Sequence, residues 1–570
     1  MTRYPVYLEI DDEGRCLAHV LELPGCIVRA PSRDEALARL PDAIHDYHTW
    51  LRRHGERVPP ASAAFEIEVA GESTGFGPFE RRSRAALFPP DREPVTAQEM
   101  ERIFRLLTYS RADLLSLIAA LSDEVLDWQP HPESFSIRGL LRHVGNAEEW
   151  YVSRLVPPET LPAEWENDEE LHVCEFLTME RRTALERLRQ LSEEERSAVI
   201  YPTAWTYHPE EPWTARKALR RFVEHEREHT WQVREILAAR RQWLLARLAA
   251  ARAALWEQLL GLDERALAEM PVAGDWNLLD LLGHITGWER WLDHTMRLML
   301  AGEDPDLTVL HDLDAANAAF VAAWRERAAG ARSLRPDASS AAITEAVTLL
   351  QTGRTTLVRW LEELPLEVFF QGRTYEGHNW SFDGIPLRIL WEHDEEHAQQ
   401  IAAWRQSTGL EKATSPKAVL LAALDAVREE LLACSALIAA EEQASRPLCE
   451  TWTLQDVLGH VADWEWLGAE GLDHMAAGRE PTVEHVTDVD AWNQAHVEAR
   501  RGQSWETVWD DLHAARRAFR NALERIDQAT FSRQFPTPWG GQATPHDWAL
   551  VYAEHDREHA RNLHTWERGQ

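Results

Sequence analysis

The chain has 570 residues, an apolar fraction of 44% and a formal net charge of −35 at pH 7. This length is too great for one hydrophobic core and favours about three to five domains, while the apolar content argues against disorder. The acidic balance argues against nucleic acid and anionic membranes as partners, because both need a basic protein surface.

The N-terminal sequence and the cysteines favour a soluble, cytoplasmic protein. The first residues alternate in polarity and meet charge by residue 9, unlike a signal peptide. No stretch approaches the roughly 18 uncharged apolar residues of a membrane span. The five cysteines show no C-x-x-C spacing, so neither a disulfide framework nor a zinc finger is predicted.

Residues 1–85 predict a small α+β domain. Apolar residues alternate over 4–10, which indicates a strand, and 16–28 indicates a second and third strand interrupted at Leu23-Pro24-Gly25-Cys26. Ser32 is suited to cap a helix over 34–53. A last short strand is expected over 64–70, followed by a Gly- and Pro-bearing linker over 71–94.

From residue 96 onward the helical period dominates. It predicts three consecutive units at 95–240, 241–410 and 414–570, each with four main helices connected as a bundle. In the second unit the helices are predicted at 242–265, 276–301, 312–363 with an interruption near 330–336, and 384–406.

The segment Glu-His-x-x-Glu-His occurs three times, once in the last predicted helix of each unit. Histidines at positions i and i+4 share one face of a helix. A further histidine lies upstream each time, in the second helix, within Leu-Arg-His-Val, Leu-Gly-His-Ile or Leu-Gly-His-Val. The three predicted triads are His143, His225 and His229; His284, His393 and His397; and His460, His555 and His559.

The residues around the lone histidine repeat as well. An aromatic residue precedes it by eight positions and a glutamate follows it by five, and the second and third copies also share an aspartate and a tryptophan. The glutamates lie off the ligand face, so we interpret them as supporting or surface residues. The tryptophans either wall a pocket or pack in the core. These residues are Phe135, Trp276 and Trp452; Glu148, Glu289 and Glu465; Asp280 and Asp456; and Trp288 and Trp464.

Three imidazoles per site leave coordination positions open, as in catalytic rather than structural metal sites. Zinc is the default expectation, and nickel and ferrous iron also accept this ligand set. The open position can hold water or a thiolate. Alternatively, the triads only contribute packing.

The glutamates of the repeated segment allow further interpretations. Glu228, Glu396 and Glu558 complete the H-x-x-E-H pattern of inverzincin peptidases, although those enzymes take an acidic third ligand from a later helix. Glu224, Glu392 and Glu554 either orient a neighbouring imidazole or face solvent.

The aromatic–x7–His and His-x3-His segments make residues 95–570 resemble the DinB-like, or YfiT-like, metalloenzyme superfamily. The resemblance implies three tandem four-helix bundles with a divalent metal on each triad. Some members of that family are transferases or isomerases that use a low-molecular-weight thiol. Members usually carry one such domain and often dimerise, so three domains in one chain suggest a monomer with an internal pseudo-oligomer.

The N-terminal domain resembles HicB-like antitoxins through Glu22-Leu23-Pro24-Gly25-Cys26 and the helix that follows Ser32. The resemblance implies a docking module for a protein partner. For the whole chain we expect a metal-dependent transferase or hydrolase acting on a small molecule, with a low-molecular-weight thiol as a candidate cosubstrate. The alternative is a non-catalytic protein that sequesters a small toxic compound.

Overall fold

The computed structural model describes residues 2–76, 84–160, 171–333, 338–440, 442–449 and 451–567. The chain divides into two compact units, Met1–Leu237 and Ala238–Gln570. The fold is mainly helical, with one four-stranded sheet at the N-terminus and four two-stranded hairpins among the described residues. None of the described helices is long and apolar enough to cross a membrane.

The N-terminal sheet has the strand order β3 (Ile27–Ala30), β2 (Cys16–Val20), β1 (Thr2–Asp11) and β4 (Phe65–Phe76). Strand β1 is antiparallel to β2 and parallel to β4. The Ser32 side chain caps α1 by accepting from the Glu35 amide, as predicted. The last strand is longer than predicted and runs into the expected linker, of which residues 77–83 lie outside the described part of the chain. The elements are β1 Thr2–Asp11, β2 Cys16–Val20, β3 Ile27–Ala30, α1 Arg33–Arg53 and β4 Phe65–Phe76.

The first bundle follows in the same compact unit. The Thr96 and Glu99 side chains form a reciprocal capping box at its start, which satisfies free amides of the first turn. Its main helices are α2 Ala97–Ile118, α4 Ile137–Ser153, α5 Val173–Arg189 and the first part of α7 Ala215–Leu259, with the short α3 Asp123–Asp127 and α6 Glu193–Ser197 between them.

The predicted start of a new helix at residue 242 is wrong. Helix α7 runs without interruption from Ala215 to Leu259. Residues 235–259 contain no glycine or proline and are rich in Ala, Leu and Arg, which are strong helix formers, so nothing in this stretch ends the helix. The boundaries proposed for the individual bundles stay predictions.

The second unit contains two further sets of helices. The interruption predicted near 330–336 falls where one helix ends at Ser333 and the next begins at Ala338, and residues 334–337 themselves lie outside the described part. The main helices are α9 Leu278–Ala301, α10 Leu313–Ser333, α11 Ala338–Glu363, α13 Ile385–Thr408, α14 Lys417–Ser435, α15 Leu454–Ala476, α16 Val489–Arg500, α17 Trp505–Arg525 and α19 Pro545–Glu567. The short elements are α8 Glu264–Ala268, α12 Leu366–Phe369, α18 Gln528–Phe531, and hairpins β5 Pro271–Ala273 with β6 Trp276–Asn277, β7 Thr374–Tyr375 with β8 His378–Asn379, β9 Pro447–Cys449 with β10 Trp452–Thr453, and β11 Phe535–Pro536 with β12 Gln542–Ala543.

Both sets of helices in the second unit share one hydrophobic core. It extends from Trp256 and Leu282 through Leu420 and Phe519 to Trp548. Helix α14 packs against both α11 and α19 and so joins the two sets. An ion pair between Arg557 and Glu257 links them at the surface of this core.

A buried carboxyl group lies at the same junction. Glu430 of α14 is 7% exposed, and its carboxylate is 3.7 Å from the Arg557 guanidinium. Burial raises the pKa of Glu430 to about 7, because desolvation outweighs the attraction of Arg557. The folded protein therefore holds this proton at a pH where the unfolded chain has lost it.

The Glu430→Gln variant is expected to be more stable than the parent at pH 8, by about 1–3 kcal/mol, and equally stable at pH 4. A raised carboxyl pKa means that the unfolding free energy falls as pH rises from about 4.5 to about 7. The amide is neutral at every pH and removes this loss. Thermal unfolding at both pH values measures the effect, and Glu392→Gln, at an exposed position, is the control. Equal stabilisation at pH 4 and pH 8 would contradict the prediction.

Candidate metal centres

Each lone histidine sits at the same place in its helix, seven residues after the N-cap. Asn277 and Asp280 form a capping box at the start of α9, and Thr453 and Asp456 do so for α15. In α4 the cap is Ser136 alone, whose side chain accepts from the Gly139 amide. The shared aspartates of the second and third copies are therefore helix-start residues rather than ligands.

The structure brings the members of all three triads together. The Nε2 atoms of His284 and His397 each lie 2.9 Å from Nε2 of His393. In the first triad, Nε2 of His225 lies 3.1 Å from Nε2 of His143 and 3.0 Å from Nε2 of His229. In the third, Nε2 of His555 lies 2.9 Å from Nε2 of His460 and 3.1 Å from Nε2 of His559.

In each of these contacts both atoms are Nε2 atoms, an arrangement that suits a bound cation. Nε2 of His393 faces two other Nε2 atoms, and hydrogen bonds cannot satisfy both contacts well when the rings are neutral. Three imidazole nitrogens at 2.0–2.1 Å from one zinc ion stand about 3.3 Å apart in tetrahedral geometry. Each triad has one nitrogen per residue within 4.8 Å of the others. A small opening of the rings accommodates a divalent ion, so the residues fit the implied metal.

The protonation of the rings suits metal binding. Burial lowers the pKa of His229, His284 and His555 to about 4, so these imidazoles are neutral at pH 7. Neutral imidazole presents a lone pair, which is the form that binds a metal. The lone histidines differ in exposure, because His284 and His460 are buried and His143 is exposed.

A glutamine three residues after the second histidine fixes one ring in two of the copies. Nδ1 of His397 lies 2.8 Å from Oε1 of Gln400, and Nδ1 of His229 lies 2.5 Å from Oε1 of Gln232. Since an amide oxygen only accepts, Nδ1 carries the proton and Nε2 presents its lone pair to the centre of the triad. The third copy has Asn562 at this position.

We expect Gln400→Leu to weaken metal binding at the second triad by about 10- to 100-fold, because the ring loses the acceptor that holds its orientation and tautomer. Competition titrations with a chromogenic chelator measure the affinity. Asn562→Leu is the matched control, since Asn562 is exposed and makes no described hydrogen bond to His559. A similar loss in both variants would show that the glutamine contact is not the cause.

The aromatic residue eight positions before each lone histidine packs against the imidazole ring of that histidine. The ring centroids are 6.1 Å apart for Phe135 and His143, 5.3 Å for Trp276 and His284, and 5.1 Å for Trp452 and His460. Phe135 is 60% exposed, whereas the two tryptophans are half-buried. The first triad is thus the least enclosed on this side.

The shared tryptophans each form the same hydrogen bond. Trp288 Nε1 donates to Asn317 Oδ1 at 2.9 Å, and Trp464 Nε1 donates to Asn493 Oδ1 at 2.8 Å. Both indoles are buried, and the Trp464 ring centroid lies 6.5 Å from that of His555. Both are core residues, and Trp464 also lies beside the third triad.

The glutamates inside the repeated segment take different roles from copy to copy. Glu392 and Glu554 are exposed, as are Glu396 and Glu558, so the second and third copies give no support to a peptidase-type general base. None of the glutamates preceding the histidine pair has a described hydrogen bond to a triad imidazole. Glu224 instead is 2% exposed and binds His19 of the N-terminal domain.

The glutamate five residues after each lone histidine belongs to a buried ionic cluster. Glu465 pairs with Arg428 of α14 at 2.8 Å and with Arg516 of α17 at 2.7 Å. Both arginines also pair with Asp556, which directly follows the triad residue His555. Two positive and two negative side chains from four helices thus balance one another beside the triad.

The same cluster recurs in the other two copies, and it ties the helix of the lone histidine to the helix of the pair. Its charged groups are each less than 10% exposed. The members are Arg111, Glu148, Arg181 and Glu226 in the first copy; Arg252, Glu289, Arg354 and Asp394 in the second; and Arg428, Glu465, Arg516 and Asp556 in the third.

Comparison with known proteins agrees with this architecture. Residues 106–233 and 423–563, just under half of the chain, match the family model of the DinB superfamily. These two regions of the chain belong to the DinB superfamily. The superfamily is metal-binding, and the matched residues include the histidine pairs of the first and third triads. The triad of His284, His393 and His397 lies outside the matched residues, and its nitrogen separations are close to those of the other two triads.

The N-terminal domain has a relative of its own. Over 67 residues the chain is 34% identical to UPF0150 protein Ta0767 of Thermoplasma acidophilum. The aligned stretch covers 12% of this chain and 96% of the relative. The N-terminal domain therefore belongs to the UPF0150 family, in agreement with the predicted HicB-like domain. No solved structure matches the chain.

Proposed function

We propose that this DinB-superfamily chain is a metal-dependent transferase or hydrolase in which each histidine triad holds one divalent ion. The observation that carries the proposal is the convergence of three Nε2 atoms in every copy, with separations of 2.9–3.1 Å from the central histidine. Three ligands from the protein leave positions open for a small molecule.

The ligand set favours zinc, nickel or ferrous iron, which all accept neutral imidazoles. When bound, such an ion supplies Lewis acidity and lowers the pKa of a coordinated water or thiol. The protein supplies neutral rings, held in orientation by Gln232 and Gln400 in the first two copies, and an aromatic ring against each lone histidine. A low-molecular-weight thiol is the proposed cosubstrate.

Elemental analysis of the purified protein after reconstitution with zinc or nickel tests the metal sites. We expect about three ions per chain in the parent and two in each variant with one histidine pair changed to alanine. The three double variants are His225→Ala/His229→Ala, His393→Ala/His397→Ala and His555→Ala/His559→Ala. An unchanged metal content in any variant would remove that triad from the proposal.

Cobalt substitution tests the open position. Addition of a small thiol to the cobalt protein is expected to produce new charge-transfer absorption, which disappears in a variant that lacks all three histidine pairs. Turnover of thiol and an electrophilic substrate beyond one equivalent per site then separates catalysis from stoichiometric sequestration. Metal binding with no spectral response to thiol or substrate would favour a non-catalytic role.

A further inference from the structure

A short hairpin precedes the helix of the lone histidine in the second and third copies. In β5–β6 Trp276 pairs with Ala273, and in β9–β10 Trp452 pairs with Cys449. The residue that follows each tryptophan is the N-cap of α9 or α15, and its side chain takes part in a capping box. The hairpin and the cap therefore fix the indole at the start of the helix, next to the triad.

Each of these tryptophans is tilted against the imidazole of the lone histidine. The ring planes of Trp276 and His284 meet at 47°, and those of Trp452 and His460 meet at 58°. The ring centroids are 5.3 Å apart in the second copy and 5.1 Å apart in the third. Unlike a stacked pair, a tilted pair lets an atom at the edge of one ring point towards the face of the other.

One nitrogen of these two imidazoles has no conventional partner. His284 and His460 are each 4% exposed, and Nδ1 of each ring is buried without a hydrogen bond to any described residue. Nε2 of the same rings faces the other histidines of the triad. The lone histidines thus differ from His229 and His397, whose Nδ1 atoms contact a glutamine oxygen.

The missing partner matters for metal binding. A neutral imidazole that binds a metal through Nε2 carries its proton on Nδ1, so the metal-binding form of these rings has a buried N–H. A buried donor without an acceptor is costly. The face of an aromatic ring accepts an N–H weakly, and in both copies an indole ring packs against the imidazole. The recurrence of the same tilted pair in two copies indicates that the indole face is this acceptor.

The first copy has the opposite combination of features. Phe135 and His143 are stacked, with an interplanar angle of 22° and centroids 6.1 Å apart. Phe135 belongs to no described strand, and both side chains are exposed. Water can therefore act as the acceptor for His143, so that the first copy has no need of an aromatic one.

We propose that Trp276 and Trp452 are positioning residues of the second and third metal sites: the indole face accepts the Nδ1–H of the lone histidine and so holds Nε2 towards the metal. The inference rests on the proposed metal binding at the triads. It also gives the two hairpins a role, because they fix the indole that the buried imidazole needs.

Zinc titration of a full-length chain in which only the second triad is intact tests the proposal. The histidine pairs of the first and third triads are changed to alanine in this parent, so that one site is observed. Trp276→Leu keeps an apolar side chain but has no aromatic face, and we expect it to weaken zinc binding about tenfold. Trp276→Phe keeps a face and should stay within about twofold of the parent. Competition with a chromogenic chelator measures the affinities.

The Nδ1 proton gives a second measurement that packing alone would not change. In zinc-loaded protein with 15N-labelled histidine, we expect the ring current of Trp276 to shift the Nδ1–H signal of His284 upfield. The shift should persist in Trp276→Phe and disappear in Trp276→Leu. A downfield shift in the parent would place the proton in the plane of the indole and would overturn the proposal.

Phe135→Leu, in a chain that keeps only the first triad, is the matched control, because it removes the aromatic residue at the same position of the repeat. It should change zinc affinity by less than about twofold, since His143 is exposed. Equal losses in Trp276→Leu and Trp276→Phe, or in Trp276→Leu and Phe135→Leu, would reduce the tryptophan to packing and overturn the proposal. Absence of zinc binding in the parent would overturn the proposed function together with this inference, whereas zinc binding without the upfield shift would overturn this inference alone.

Discussion

Replacing Arg428 by methionine is expected to lower the unfolding free energy of the second compact unit by about 3–5 kcal/mol. Arg428 is 4% exposed, and it pairs with both Glu465 and Asp556. Its loss leaves Arg516 as the partner of two buried carboxylates, so one negative charge remains uncompensated. Breaking a buried cluster in this way costs far more than removing an exposed ion pair. Denaturant unfolding followed by tryptophan fluorescence measures the effect.

Two further variants separate the loss of charge balance from the loss of packing as the cause of the lower stability. Arg428→Met/Glu465→Gln leaves the neutral pair of Arg516 and Asp556, so it should recover a large part of the stability. Arg501→Met removes a charge from an exposed pair with Glu498 and should cost less than about 1 kcal/mol. If the charge-balanced double variant is as unstable as Arg428→Met, packing rather than charge is responsible.

The same substitution is expected to weaken metal binding at the third triad. Asp556 follows His555 directly, and its ion pairs hold α19 against α14 and α17. The relative position of the lone histidine and the pair depends on this attachment. The triads at His284 and His143 belong to other clusters and should keep their metal affinity.

The sequence was sufficient to predict the triads, because spacing on one helix and a repeated context define them without knowledge of the packing. Three of the four members of each ionic cluster also recur at fixed positions in the sequence, since a glutamate follows the lone histidine by five and an acidic residue directly follows the first histidine of the pair. Arg111, Arg252 and Arg428 each lie 32 residues before the lone histidine. The second arginine lies at a different distance from the lone histidine in each copy, and only Arg354 and Arg516 share a distance to the histidine pair, 39 residues before its first member. Its pairing depends on tertiary packing.

Two other features, the end of the first bundle and the burial of the motif glutamate, depend on tertiary packing and cannot be predicted from the local sequence. The end of the first bundle was not visible as a helix boundary, because α7 continues through a stretch without a helix-breaking residue. Glu224 and Glu392 occupy the same place in the repeated segment, yet only Glu224 is buried. The difference comes from the N-terminal domain, which covers the first copy of the motif.

That domain is attached to the first bundle through Glu224. The carboxylate lies 2.8 Å from Nδ1 of His19 in β2, 3.0 Å from Arg220 and 2.9 Å from Arg221. Nearby, the Arg227 side chain donates to the Gly25 carbonyl oxygen at 2.9 Å and lies over the Trp50 ring at 4.0 Å. These contacts flank His225, so they also restrain the first triad.

Replacing Glu224 by alanine is therefore expected to destabilise the first compact unit by about 3 kcal/mol and to weaken metal binding at the first triad. Removal of the carboxylate leaves two buried arginines and His19 without their shared partner. Glu392→Ala is the matched control: the residue type and motif position are the same, but the side chain is 60% exposed and its change should cost less than about 1 kcal/mol. Hydrogen exchange of β2 and α7 and the metal affinity of the first triad are the measurements. Equal effects of the two substitutions would mean that the motif glutamate acts within its own helix, and that the N-terminal domain does not brace the first site.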